Sequence, residues 1–198
     1  MDINNKIIAI AGNARSGKDT LGKYISEILI ENGIKNHSKS FAFALKNEVD
    51  EFLLKTIGIS AFTEDPAEKT LIRKFLVFWG SDFRRSINPD IWINKLVEST
   101  EKDSVLIITD LRFENELKWV RDNNGIVLYL SRISESGEII PPANDYEKYN
   151  NKIILDDSDN SLTWMTSNDS FLLKSLAREV LDSTISKDTL DLWKATCH

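Results

Sequence analysis

The chain has 198 residues, 41% of them hydrophobic and 28% charged, with 25 Lys and Arg against 31 Asp and Glu for a net charge of −6. That composition suits one globular domain and excludes disordered, collagen-like and low-complexity classes. The acidic balance also excludes a protein whose main task is to coat a nucleic-acid backbone or an anionic membrane, while leaving room for a local patch that takes a small phosphorylated molecule.

Met1-Asp2-Ile3-Asn4-Asn5-Lys6 lacks the basic stretch and long apolar run of a signal peptide. The single cysteine, Cys197, allows no intramolecular disulfide, so a reducing, cytoplasmic setting is expected. Lys6-Ile7-Ile8-Ala9-Ile10-Ala11 then predicts a strand buried on both faces. Leu21, Tyr24, Ile25 and Ile28 recur at helical spacing from Lys18 to about Glu31, with Asn32-Gly33 as the stop. His37 to Phe43 reads as a second strand, and Leu45, Val49, Phe52 and Leu53 mark the helix after it. Gly58 to Pro66 reads as a loop; Pro66 opens a helix with Leu71, Ile72, Phe75, Leu76 and Trp79, and Gly80 ends it. Asn88 is the expected N-cap of a helix carrying Ile91, Trp92, Lys95 and Leu96.

Val105 to Asp110 is the second clear buried strand, followed by a helix from about Glu114 to Asn123 and a strand from Ile126 to Leu130. Residues 132–160 are polar, contain Pro141-Pro142, and read as an irregular or mobile insertion. A short strand is expected at Thr163 to Thr166, then a helix with Leu172, Leu173, Leu176 and Val180 that Asn168-Asp169 can cap. The last fifteen or so residues carry no pattern. Strands separated by helices predict a parallel sheet with right-handed crossovers. At helical spacing Phe75, Phe78, Trp79 and Phe83 are expected in the core, and Trp119 and Trp164 are expected to pack.

Gly12-Asn13-Ala14-Arg15-Ser16-Gly17-Lys18-Asp19-Thr20 has the Walker A spacing between the first strand and its helix. Its glycines let backbone N–H groups converge on phosphate oxygens, the helix dipole adds positive potential, and Lys18 reaches the β- and γ-phosphates. Asp19 stands where Ser or Thr normally holds Mg²⁺, and a carboxylate can do so directly or through water. Asp110 closes an apolar strand in the Walker B manner, making Asp19 and Asp110 the candidate metal ligands. Arg73, Arg84, Arg85, Arg112 and Arg132 sit at strand ends and helix starts, and phosphoryl transfer between phosphates needs such cations around donor and acceptor. No Cys/His cluster suggests zinc. The charge is unevenly placed: residues 1–132 carry 19 basic and 19 acidic side chains, so the acidity belongs to the C-terminal third.

The phosphate loop, Ile72-Arg73-Lys74-Phe75-Leu76-Val77-Phe78-Trp79-Gly80-Ser81-Asp82-Phe83-Arg84, Pro89-Asp90-Ile91-Trp92, Ile108-Thr109-Asp110-Leu111-Arg112-Phe113-Glu114-Asn115-Glu116 and Thr166-Ser167-Asn168-Asp169-Ser170 together resemble deoxynucleoside monophosphate kinases of bacteriophages, in the family's order. The resemblance implies a three-layer α/β/α P-loop fold of the nucleoside-monophosphate-kinase type, with a parallel sheet of about five strands and a lid insertion. It implies one kinase domain over 1–182, with an acceptor-side helical region at about 42–100, a lid at about 132–160 and a C-terminal extension at 183–198. The implied activity is transfer of a phosphoryl group from ATP to a deoxynucleoside monophosphate, with Mg²⁺ as cofactor. Arg73 and Arg112 would hold the acceptor phosphate or orient the transferred group, with Arg84 a further candidate and Arg132 opening the lid. Phe41 to Lys46 occupies the acceptor-side segment, and Trp92 either flanks the base or packs. The expected partners are ATP and the acceptor, without stable nucleic acid or membrane, and a homodimer is allowed. For a phage-encoded chain the location is the host cytoplasm. Animal-type phosphomevalonate kinases share the Gly-Lys-Asp loop, the Trp-Gly segment and the Asp-x-Arg strand end, and are the rival enzyme. A non-catalytic nucleotide-binding module is the alternative from another class.

Overall fold

The computed structural model describes residues 6–142, 145–165 and 170–197. Five strands form one parallel sheet: β1 Ile7–Ala11, β2 Asn36–Lys39, β3 Val105–Leu111, β4 Ile126–Ile133 and β5 Asn160–Met165, in the spatial order β2-β3-β1-β4-β5. The central strand β1 is buried at every residue, which is why its sequence is an unbroken apolar run rather than an alternation. On one face lie α1 Lys18–Glu31, α8 Ser170–Thr184 and α9 Lys187–Thr196. Their Leu21, Ile25, Leu173, Ala177, Val180 and Trp193 form one core with Ile8, Ile10, Ile107, Leu128 and Leu130. The alternate residues Ile7 and Ala9 face the other layer, to which α6 Glu114–Asp122 and α7 Asp145–Asp156 contribute the buried Leu117, Val120 and Ile154. Helices on both faces of this parallel sheet, with a phosphate loop after its central strand, make a three-layer α/β/α P-loop fold.

The chain divides into two compact units, Met1–Lys39 with Thr100–His198, and Ser40–Ser99. The second is helical: α2 Phe41–Ile57, α3 Pro66–Val77, a π-helical segment Phe78–Arg84, the short α4 Arg85–Ile87, and α5 Ile91–Glu98. Asp65 caps α3 by accepting from the backbone N–H groups of Ala67 and Glu68, with Pro66 as first helical residue. Val49, Leu53, Ala61 and Ile72 form its core, against which Phe75 and Trp79 pack. Phe78 and Phe83 remain exposed and stack on each other instead of entering that core.

Several boundaries differ from the sequence reading. The second strand stops at Lys39, because the Ser40 hydroxyl accepts from the N–H of Phe43 and starts α2 there, with Phe41 buried as its first residue. Gly80 does not end a helix; the backbone continues through it in the π form, and the Gly80 carbonyl accepts from the Trp92 indole at 3.0 Å. Asn88 caps no helix: its side chain accepts from Asp90 N–H at 3.1 Å, and Asp90 takes the N-cap position of α5. The strand expected to end at Leu130 runs to Ile133, and Ile133 pairs with Ile139 in an antiparallel bridge. Residues 145–156 of the expected irregular insertion form α7, whose pattern is thin because its buried positions include the polar Asn150 and Asn151. The unpatterned C-terminal stretch holds α9, with Trp193 and Cys197 each 1% exposed in the main core. Thr166 and the capping pair Asn168-Asp169 lie outside the described residues, as do Met1 to Asn5.

Candidate active site

The loop between β1 and α1 is held in shape by two positions that take no side chain. Gly12 has φ +138°, and a Cβ there would sit 2.1 Å from the Leu130 carbonyl oxygen of β4. Gly17, at φ +95°, lies against the Trp164 ring, 2.8 Å from where its Cβ would be. Arg15 between them is also left-handed, at φ +64°. The Trp164 indole donates to the Ser16 carbonyl at 2.6 Å, and the Arg132 guanidinium lies 5.1 Å from the Trp164 ring centroid while donating to the Arg15 carbonyl at 3.0 Å. The ends of β4 and β5 thus brace the loop from outside. Ser16 Oγ is buried and has no hydrogen-bond partner among the described residues, the condition expected of a hydroxyl in an anion-binding turn.

Lys18 folds back over this turn and is 7% exposed. Its ammonium donates to the carbonyls of Gly12 at 2.9 Å and Asn13 at 2.8 Å. Burial, and after it the Arg112 charge, bring its pKa from 10.5 down to about 8 against the opposing charges of Asp19, Glu147 and Asp110. Lys18, Arg112, Asp19 and Asp110 therefore share one electrostatic environment. Asp19 and Thr20 are exposed in the first turn of α1, and Arg112 is exposed after β3.

Two local devices aim the β3 end. Between the pairs Ala9 with Ile108 and Ala11 with Leu111, β3 holds one residue more than β1, a bulge at Thr109-Asp110 that re-aims the strand end. Beyond it the buried Glu116 carboxylate accepts from the backbone N–H groups of Arg112 at 3.0 Å and Phe113 at 3.1 Å, fixing the turn into α6. A cleft of about 340 Å³ runs along this side of the sheet, lined by Asp19, Lys23, Ser26, Glu27, Ser38 and Thr109.

The described residues hold no group of three or more His, Cys, Asp or Glu arranged as a metal cage. Two carboxylates beside a phosphate loop are nonetheless the donor set Mg²⁺ uses when substrate phosphates and water complete its octahedron. Asp19 and Asp110 fit that role.

The other expected residues belong to the second unit. Arg84 pairs with Glu48, Nε to Oε1 at 2.8 Å, and the same carboxylate accepts from Trp79 at 2.9 Å and meets Lys95 at 3.1 Å. Burial opposes ionisation of Glu48, but the Trp79 and Lys95 hydrogen bonds and the Arg84 charge outweigh it and hold its carboxyl below the usual range. Arg73 is exposed on α3. Lys46 lies over the Phe62 ring at 5.6 Å, and Phe41 is buried. Trp92 is 2% exposed, and its indole N–H donates to the Gly80 carbonyl.

Four residues at the loop escape sequence reading. Trp164 looks like any strand aromatic, and Glu147, Asn151 and Ile140 come from the stretch that reads as irregular. Ala14 N–H donates to Glu147 Oε1 at 3.2 Å, Asn13 Nδ2 to the Ile140 carbonyl at 2.6 Å, and Asn151 Nδ2 to Asn13 Oδ1 at 2.6 Å. Glu116 is likewise not announced: it reaches back to the N–H of Phe113, an N-cap residue without the Ser or Thr that marks a capping box in sequence.

A family model described as phosphomevalonate kinase matches residues 10–125, more than half of the chain. No curated protein sequence matches it significantly. Among solved structures, a shikimate kinase from Aquifex aeolicus is similar at 18% identity and TM-score 0.49, over 89% of this chain and 96% of that one. A shikimate kinase from Acinetobacter baumannii, solved with shikimate, is similar at 12% identity and TM-score 0.45, over 90% and 92%. A Mycobacterium tuberculosis APS kinase solved with AMPPNP and APS is similar at 13% identity and TM-score 0.40, over 92% and 99%.

Proposed function

The chain belongs to the phosphomevalonate kinase family and is an ATP-dependent phosphotransferase, and on that premise we propose that it moves the γ-phosphoryl group of ATP to the phosphate of a deoxynucleoside monophosphate, giving the diphosphate and ADP. The observation that carries this reading is the phosphate loop between β1 and α1 with Lys18 folded over it, beside a β3 end where Glu116 fixes the backbone of Arg112. A phosphate acceptor is already largely ionised at neutral pH, so transfer asks for positive charge on both sides of the moving group rather than a base. Lys18 meets the β- and γ-phosphates, Arg112 the transferred group or the acceptor phosphate, and Arg132 the donor side. Arg73 and Arg84 are the proposed acceptor-phosphate ligands of the second unit. Asp19 and Asp110 would hold Mg²⁺, which when bound neutralises charge on the β- and γ-phosphates. The run of matching segments from the loop to Ser170 favours the deoxynucleotide acceptor.

Phosphomevalonate is the second reading, favoured by the description of the matching family. An ADP-release assay across the four deoxynucleoside monophosphates and phosphomevalonate separates the two. Turnover of at least one deoxynucleotide is the expected result; turnover of phosphomevalonate alone would transfer the assignment to the second reading.

A further inference from the structure

Glu147 lies in the first turn of α7, 133 residues beyond Ala14, and its carboxylate accepts from the Ala14 N–H of the phosphate loop at 3.2 Å. Two neutral contacts tie residues 140–151 to the preceding loop residue, the Asn13 amide on the Ile140 carbonyl and the buried Asn151 amide on Asn13 Oδ1, each at 2.6 Å. Glu147 also bears on its surroundings as a charge, supporting the protonated form of Lys18 and adding to the burial that pushes the Tyr129 hydroxyl up. Backbone N–H groups in such a loop are arranged for phosphate oxygens. A carboxylate has the same sign of charge, accepts without donating, and fits the same hydrogen-bond length.

We infer that Glu147 is an internal stand-in for a nucleotide phosphate, and that the first turn of α7 closes the loop until a polyphosphate displaces the Glu147 carboxylate. The inference rests on the reading that the loop binds ATP. A phosphate oxygen and the Glu147 carboxylate cannot share the Ala14 N–H, because two anions at hydrogen-bond distance repel. Binding therefore draws on the fraction of molecules in which Glu147 has left, and the apparent affinity is lowered by that fraction. The contact from Asn151 to Asn13 carries no charge and does not depend on Glu147, so the body of α7 stays docked while its first turn gives up the Glu147 contact.

The test is calorimetric titration of the full chain with inorganic tripolyphosphate and with ATP, for the wild type, E147A, E147Q and K18A. Both Glu147 variants are expected to bind the two probes about fivefold tighter or more, since a charge-assisted bond no longer competes, and K18A to lose binding. Amide exchange supplies a second readout on the unaltered protein: tripolyphosphate should speed exchange in the first turn of α7, residues 145–149. Wild-type binding that E147A and E147Q leave unchanged or weaken, or exchange in that turn that tripolyphosphate does not alter, overturns the inference while the nucleotide reading stands. Absence of binding in every variant and the wild type overturns both.

Discussion

Lys18 holds its charge against its surroundings. The fold buries its ammonium beside Arg112 and brings the pKa from 10.5 to about 8, so the charge needed for phosphate is present at neutral pH but held against its surroundings. Phosphate binding favours the protonated form. Above pH 8 the free protein must take up a proton to bind ATP, and affinity should fall, approaching about tenfold per pH unit. Calorimetry between pH 7 and 9.5 in buffers of different ionisation enthalpy measures that uptake, and Lys18→Arg, which keeps its charge, should flatten the profile. Stability runs the other way. Between the folded value near 8 and the unfolded 10.5 the unfolded chain binds more protons, so stability rises with pH, and below 8 the native state carries the full burden of the buried charge. Lys18→Met should accordingly lower turnover at least about 100-fold while leaving the melting temperature unchanged or higher. A melting temperature well below wild type would show that the bonds from Lys18 to Gly12 and Asn13 outweigh the burial of its charge.

At the scale of elements, the site depends on how two strand ends are turned. The β3 bulge sets Asp110, and Glu116 at the start of α6 holds the backbone of Arg112 and Phe113. Replacing the buried Glu116 by Ala leaves two half-buried backbone N–H groups without that acceptor, at a cost of about 1–2 kcal/mol. Glu116→Gln keeps the shape and one neutral acceptor and should lose less. Urea unfolding gives the stability difference, and the rate of phosphoryl transfer should fall in the same order if the turn also aims Arg112. The elements also explain what the sequence makes legible. β1, the loop after it and α1 can be read directly, because a phosphate loop demands glycine at fixed spacing and a central strand demands an unbroken apolar run. The start of α2, the π-helix through Gly80 and the helix α7 cannot. Each is decided by a contact outside the local pattern: the Ser40 cap, the Trp92 bond to Gly80, and a buried face made of asparagines. Trp164 reaches Ser16 from 148 residues away, and nothing in a strand aromatic announces such a contact.

For the whole molecule, the acidic C-terminal third is not an appendage to the first unit but part of its core. Leu173, Ala177, Val180 and Trp193 pack with Ile8, Ile10 and Ile25 of the β1–α1 region, so the two ends of the chain complete one hydrophobic layer. Charge segregation along the sequence therefore says little about separation in space. Trp193→Ala should cost about 3–5 kcal/mol, the range for removing a buried large aromatic side chain. The urea midpoint should drop with the slope unchanged, as in a two-state loss of stability. A loss below about 1 kcal/mol would mean that α9 contributes little to the cooperative unit.

The only sulfhydryl of the protein lies in that layer, Cys197, one residue beyond α9 and 1% exposed. A thiol reagent reaches it only when α9 lifts away. The labelling rate in excess reagent therefore times the undocking of the chain's end, and no engineered cysteine is needed to follow that motion as nucleotide is added.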